Sequence, residues 1–234
     1  MLQFIKSQIP NLFTFLNLFS GCLALYWCTK SQFELVFFFV SLGIFFDFFD
    51  GFFARLFNVA GPLGVQLDSL ADMVTSGVVP GFVMFYLLDQ TSEIQLLPFF
   101  GFIIILGSAF RLAKFNIDTR QTNSFIGLPT PANALLITSL PLVFANENFI
   151  KTLLLNPIGL ILLSILSAFL LNAEIPLFSL KVKKFQFKGN EFQIIFLLIA
   201  VVLLILLKIM AVPLIILMYV LISVIQTQFF KRSF

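Results

Sequence analysis

The 234-residue chain has no histidine, two cysteines and one tryptophan, and only 11% of its residues are charged. Without histidine the commonest general base is missing, and Ser-His and Cys-His nucleophile arrangements are excluded. Any proton transfer falls to a carboxylate, a Lys, a Tyr or water. A zinc site of ordinary type is excluded as well, because two cysteines alone cannot complete one. Cys22 and Cys28 lie in one apolar run, and residues i and i+6 do not share a helix face, so no disulfide is expected and both read as packing residues. A soluble domain carries about 25% charged residues. The scarcity here leaves no room for a separate one.

What fills the chain is apolar. Hydrophobic residues make up 60% of it, 34 of them Phe, and the mean hydropathy is +1.07. Apolar runs recur from end to end, which fits an all-α, polytopic integral membrane protein. About eight transmembrane helices are expected at 11–28, 33–57, 63–88, 95–113, 130–146, 152–173, 192–208 and 211–229. The fifth carries Pro131 and Pro141, and the last pair is split at Lys208–Pro213. Met1–Pro10 is followed by no small-residue cleavage signature, so the first run is read as a span and not a removable signal. With eight spans both termini share a side, which collects eleven basic residues: Lys6, Arg55, Arg111, Lys114, Arg120, Lys181, Lys183, Lys184, Lys188, Lys231 and Arg232. The other side has Lys30, Lys151 and Lys208. The asymmetry places both termini in the cytoplasm. The run Lys181–Lys188 reads as part of that topology signal, and a net charge of +3 calls for no nucleic-acid partner.

Four acids stand inside this apolar sequence: Asp47, Asp50, Asp68 and Asp72. An Asp at the centre of a membrane helix costs about 2.5–3.5 kcal/mol on insertion scales, so such residues point to function. As helix, Asp47, Asp50, Gly51, Ala54 and Arg55 share one face, and Gly64, Asp68 and Asp72 share another. Between them Asn58-Val-Ala-Gly61-Pro62 carries turn and helix-start chemistry. A reversal near residue 59 brings the four acids to similar depth. Converging carboxylates repel one another unless cations bind, and oxygen-only ligands favour Mg²⁺ or Mn²⁺. Two such ions would clamp a diphosphate. Gly51 and Ala54 leave space for a flat nucleobase or phosphate, and Arg55 supplies a positive fork for phosphate oxygens.

The pattern D-x2-D-G-x2-A-R-x8-G-x3-D-x3-D over residues 47–72 resembles, at every specified position, the signature of the CDP-alcohol phosphotransferase family. Within that family Ile9-Pro10-Asn11-Leu-Phe-Thr14-Phe-Leu-Asn17, Arg111-Leu-Ala-Lys114-Phe-Asn116 and Gly127-Leu-Pro129-Thr-Pro131-Ala132 resemble the integral-membrane phosphatidylserine synthases. Lys114 departs from the Arg found at its place, which keeps the charge but loses bidentate geometry.

The resemblance implies phosphatidyl transfer from CDP-diacylglycerol to L-serine, releasing CMP. It implies that Asp47 and Asp68 bridge two ions, that Asp50 completes one shell and Asp72 the other, and that Asp72 takes the serine hydroxyl proton. Gly51, Ala54 and Arg55, with Asn11 and Thr14, would hold the CDP part. Arg111 and Asn116 would form the serine pocket, in a segment expected to unwind because five residues separate them. The family core would cover residues 1–175, its first six spans. Residues 176–234 would be a basic cytoplasmic loop and a C-terminal helix pair with no assigned role. Membrane lipids are expected partners, and the family's habit of dimerising adds a homodimer. Two alternatives stay open: a sibling enzyme using glycerol 3-phosphate or inositol phosphate, with Arg111, Lys114 and Arg120 as the phosphate cradle, and a divalent-cation transporter.

Overall fold

A backbone in hydrocarbon must satisfy its own N–H and C=O groups, so apolar runs of span length fold as helices. The computed structural model describes residues 2–118, 125–146, 148–177 and 191–229. Helix α1 (Leu2–Thr29) turns back into α2 (Phe33–Leu56) through Ser31, whose φ is 53°. Their pairing is the most extensive among the described elements. The second reversal falls where expected. Asn58 is left-handed at φ 53°, extended Gly61 precedes the helix, and Pro62 occupies the first turn of α3 (Pro62–Asp72).

Helix α3 runs on through a π-helical turn, Met73–Val78, into α4 (Val79–Asp89), giving one span from Pro62 to Asp89. The wide turn begins immediately after Asp72, the kind of place where such turns serve a site. It packs into α1 and α2 because two glycines make room. A Cβ on Gly43 would lie 2.7 Å from Thr75 Cγ2, and one on Gly21 would lie 3.0 Å from Thr75 Cα.

A 3₁₀ turn, Leu97–Phe102, leads into α5 (Ile103–Ile117). After β1 (Phe125–Ile126) come α6 (Thr130–Asn146), α7 (Asn148–Leu154), α8 (Pro157–Asn172), β2 (Pro176–Leu177), α9 (Glu191–Leu207) and α10 (Ala211–Phe229). Five stretches are long and apolar enough to cross a membrane: Gln8–Thr29, Phe33–Leu56, Pro62–Asp89, Leu97–Ile117 and Gln193–Ile225. The last covers most of α9 and α10, which separate at Lys208 with φ 50°. α6 and α8 are shorter apolar helices.

The expected helices are therefore present, with three differences. The fourth span continues to Ile117, so the expected unwinding between Arg111 and Asn116 does not occur. The sixth is broken, because Pro157 starts a new helix and the Asn156 side chain caps it, accepting from Gly159 N–H at 2.9 Å. A two-residue antiparallel bridge, Phe125↔Leu177 and Ile126↔Pro176, interrupts an otherwise all-α fold. Residues before proline avoid helix, and Leu128 and Ile175 both precede one.

One buried apolar cluster, including Val36, Val40, Val83, Met84, Leu88, Ile104 and Ile137, joins the N-terminal half of α2 to α4, α5 and α6. It packs the bundle at the end away from the acids. A second cluster of Leu128, Leu136, Leu177, Phe196, Ile216 and Tyr219 fastens α9 and α10 onto α6 and β2. Many large apolar side chains, such as Phe48, Leu106 and Ile205, point outward, as a lipid-facing surface requires. Arg120, Glu147, the run Lys181–Lys188, Lys231 and Arg232 lie outside the described residues, as does the side chain of Lys6.

Candidate metal and CDP-lipid site

The α2–α3 hairpin brings Asp47, Asp50 and Asp68 together, one carboxylate oxygen from each lying within 4.8 Å of the others. Asp50 is 6% exposed and receives a hydrogen bond from Thr14 Oγ1 at 2.7 Å, a charge-assisted contact from α1. Asp68 Oδ1 is buried with no hydrogen-bond partner among the described residues. An unpartnered carboxylate oxygen among like charges is costly in a dry environment unless a cation fills the gap. The donor set is all oxygen, which suits a hard divalent ion. The trio fits a metal.

Asp72 stands one turn further along α3 and is not in that trio. It is 9% exposed, and Asn17 Nδ2 donates to its Oδ1 at 3.0 Å. Asn17 is in turn held on the π turn, because Thr75 Oγ1 donates to its backbone carbonyl at 3.1 Å. Asn17 closes a motif read in the sequence but was given no role there, and nothing in the sequence singled out Thr75. Asn17 lies three residues after Thr14, so both project from the same face of α1.

Beside the acids lies a cavity of about 310 Å³ lined by Asn11, Thr14, Asp50, Gly51, Ala54, Gly64 and Asp68, among others. Four of the five residues expected to hold the nucleotide thus share one wall. Arg55, the fifth, is exposed, and its guanidinium lies over Gly51, 3.4 Å from where a Cβ would stand. It makes no ion pair among the described residues. Gly61 and Gly64 have open space where a Cβ would be, so Gly64 is not needed for helix packing.

The expected acceptor residues divide. Arg111 is 6% exposed, and the Asp72 carboxylate is near enough to favour its charge. Its Nε donates to Leu128 O and its Nη2 to Gly127 O at 3.5 Å. Asn116 instead ties α5 to α3: its Nδ2 donates to Ser69 Oγ at 2.9 Å, next to Asp68. Lys114 pairs with Glu174 at 3.2 Å.

Residues 7–205 match the family model of CDP-alcohol phosphatidyltransferases. The chain belongs to that family. Similar proteins include a CDP-diacylglycerol–serine O-phosphatidyltransferase of Helicobacter pylori, 33% identical over 144 residues, which are 61% of this chain and 60% of the relative. Another, from Bacillus subtilis, is 36% identical over 129 residues, 53% of this chain and 70% of the relative. A third, from Methanocaldococcus jannaschii, is 36% identical over 156 residues, 67% of this chain and 71% of the relative. The alignment with the Helicobacter relative thus spans less than two thirds of that protein. This family uses metal-dependent CDP-alcohol transfer, and among the described residues the carboxylate trio could hold a metal.

Proposed function

We propose that the chain transfers a phosphatidyl group from CDP-diacylglycerol to L-serine, giving phosphatidylserine and CMP. The observation that carries this reading is the carboxylate trio at the edge of a cavity lined by Asn11, Thr14, Gly51 and Ala54. Three relatives bearing the serine transferase name support the choice of acceptor. So does the pairing of Lys114 with Glu174, which takes one cation out of the cradle that a phosphorylated acceptor needs.

The cavity takes the cytidine diphosphate, its nucleobase against Gly51 and Ala54 and its phosphates toward Arg55 and the acids. Two Mg²⁺ or Mn²⁺ ions held by Asp47, Asp50, Asp68 and Asp72 would neutralise and polarise the diphosphate. Arg111 meets the serine carboxylate. The serine hydroxyl loses its proton to Asp72, whose Oδ1 accepts from Asn17. Its oxygen forms a bond to the phosphorus that carries diacylglycerol, and the bond from that phosphorus to CMP breaks. Asn116 acts here through Ser69, positioning α3 and not touching serine.

The eleven-to-three distribution of basic residues supports a cytoplasmic site with both termini on that side of the inner membrane. Acyl chains then enter sideways from the lipid while serine arrives from water. Residues 1–175 form the transferase core in this reading, and 176–234 an appended loop and helix pair. A homodimer is part of the proposal on family grounds.

The test is to incubate purified protein with CDP-diacylglycerol and a panel of acceptors, then identify the lipid made. Serine should give phosphatidylserine and CMP, EDTA should stop it, and Mg²⁺ or Mn²⁺ should restore it. Product from glycerol 3-phosphate and none from serine would overturn the reading.

A further inference from the structure

Arg111 is buried, and its Nε and Nη2 form one edge of the planar guanidinium. That edge is occupied by backbone: Nε by Leu128 O, Nη2 by Gly127 O. The end of the fork, Nη1 with the second N–H of Nη2, has no further hydrogen-bond partner among the described residues. The two carbonyls are held in place by the end of α8 and the residues just after it. Gly127 N–H donates to Ile175 O at 2.9 Å, and Leu128 N–H to Leu170 O at 2.8 Å. Gly127 has φ +77°, and a Cβ there would lie 2.5 Å from Leu171 O and 3.0 Å from Ala173 O. Only glycine lets this turn dock so closely against another backbone.

We infer that Gly127 is a positioning residue for acceptor recognition: its left-handed turn presents the Gly127 and Leu128 carbonyls to one edge of Arg111 and so aims the other edge at the acceptor's carboxylate. The inference rests on the reading of Arg111 given under Proposed function. A guanidinium fixed along one edge loses its freedom to rotate, which turns a buried cation into a directional, two-pronged receptor. Any side chain at 127 moves the turn away from α8 and the carbonyls away from Arg111. The cavity for the CDP part lies against α1, α2 and α3 and stays intact.

Full-length protein in lipid vesicles, assayed by CMP release at varied L-serine and varied CDP-diacylglycerol, tests this. Gly127→Ala should raise the KM for serine about ten-fold, the loss expected when a hydrogen bond to a charged group goes. The KM for CDP-diacylglycerol should stay within about two-fold. Lys lacks the planar fork that reaches the carbonyls with one edge and the acceptor with another, so Arg111→Lys should raise the serine KM at least as much. Adding Gly127→Ala to it should then change that KM less than about two-fold, because the two act through one contact. Additive effects, or equal rises for both substrates, would mean that Gly127 only supports the fold and would overturn the inference. Should Gly127→Ala not fold, Arg111→Lys with an unchanged serine KM overturns it alone. Wild-type protein that makes nothing from serine refutes the reading of the activity instead, so the two failures are distinct.

Discussion

Thr14 donates at 2.7 Å to Asp50, and the two residues are 4% and 6% exposed, so the contact is shielded from bulk water. Thr14→Val keeps the shape and deletes that donor. A hydrogen bond to a charged group contributes about 1.5–3 kcal/mol, or roughly 10- to 100-fold in a binding constant. Loss of a partner that orients a metal-ligating carboxylate typically costs about the same factor in metal affinity. The second contact of the hydroxyl, to Pro10 O at 3.2 Å, is longer and local to α1, and its loss adds little. Thr14→Val should therefore raise the Mg²⁺ or Mn²⁺ concentration for half-maximal CMP release at least about ten-fold, with turnover largely recovered at saturating metal. Thr14→Ser, which keeps the donor, should stay close to wild type. An unchanged metal requirement with a higher KM for CDP-diacylglycerol would refute the argument and make Thr14 a substrate contact only.

Asp47→Asn and Asp68→Asn should be the most damaging conservative changes, since each removes charge from a cluster whose oxygens lie within 4.8 Å; metal titration of CMP release reads this, and full activity in either removes the metal reading. Asp72→Asn should lower turnover about 10²–10⁴-fold with CDP-diacylglycerol binding preserved; retained metal and retained turnover together defeat the assignment of the base. Gly21→Ala should destabilise the protein by about 1–3 kcal/mol in detergent unfolding, because its Cβ meets the Thr75 backbone at 3.0 Å. Gly64→Ala meets nothing within 4 Å, so it should unfold like wild type and yet bind the CDP-lipid more weakly. Introduced cysteines at Lys30 and Lys151 should label from outside intact cells and one at Lys184 only after permeabilisation; external labelling at Lys184 reverses the orientation.

The sequence by itself determined the helices and the meeting of the acids, because both are local. Apolar length sets a span, three- and four-residue spacing puts Asp47 with Asp50 and Asp68 with Asp72, and a turn near residue 59 folds one helix onto the next. Gly51 and Ala54 were legible from the same spacing, whereas Asn11 and Thr14, on another helix, were named only through the family resemblance. Contacts between helices were decided only by tertiary structure, since they depend on how each helix is rotated about its axis. Asn17 reaches Asp72 across 55 residues, and Asn116 reaches Ser69 across 47. Neither pairing follows from any spacing in the chain. The seat of Arg111 was hidden more deeply, because its partners are backbone carbonyls. Every residue has a carbonyl, so no residue type announces one. The same holds for α10, whose Tyr219 packs with Leu128 near Arg111 although its helix reads in the sequence as bulk hydrophobe. Periodicity shows which face of a helix is apolar, but only the packed bundle shows what that face meets.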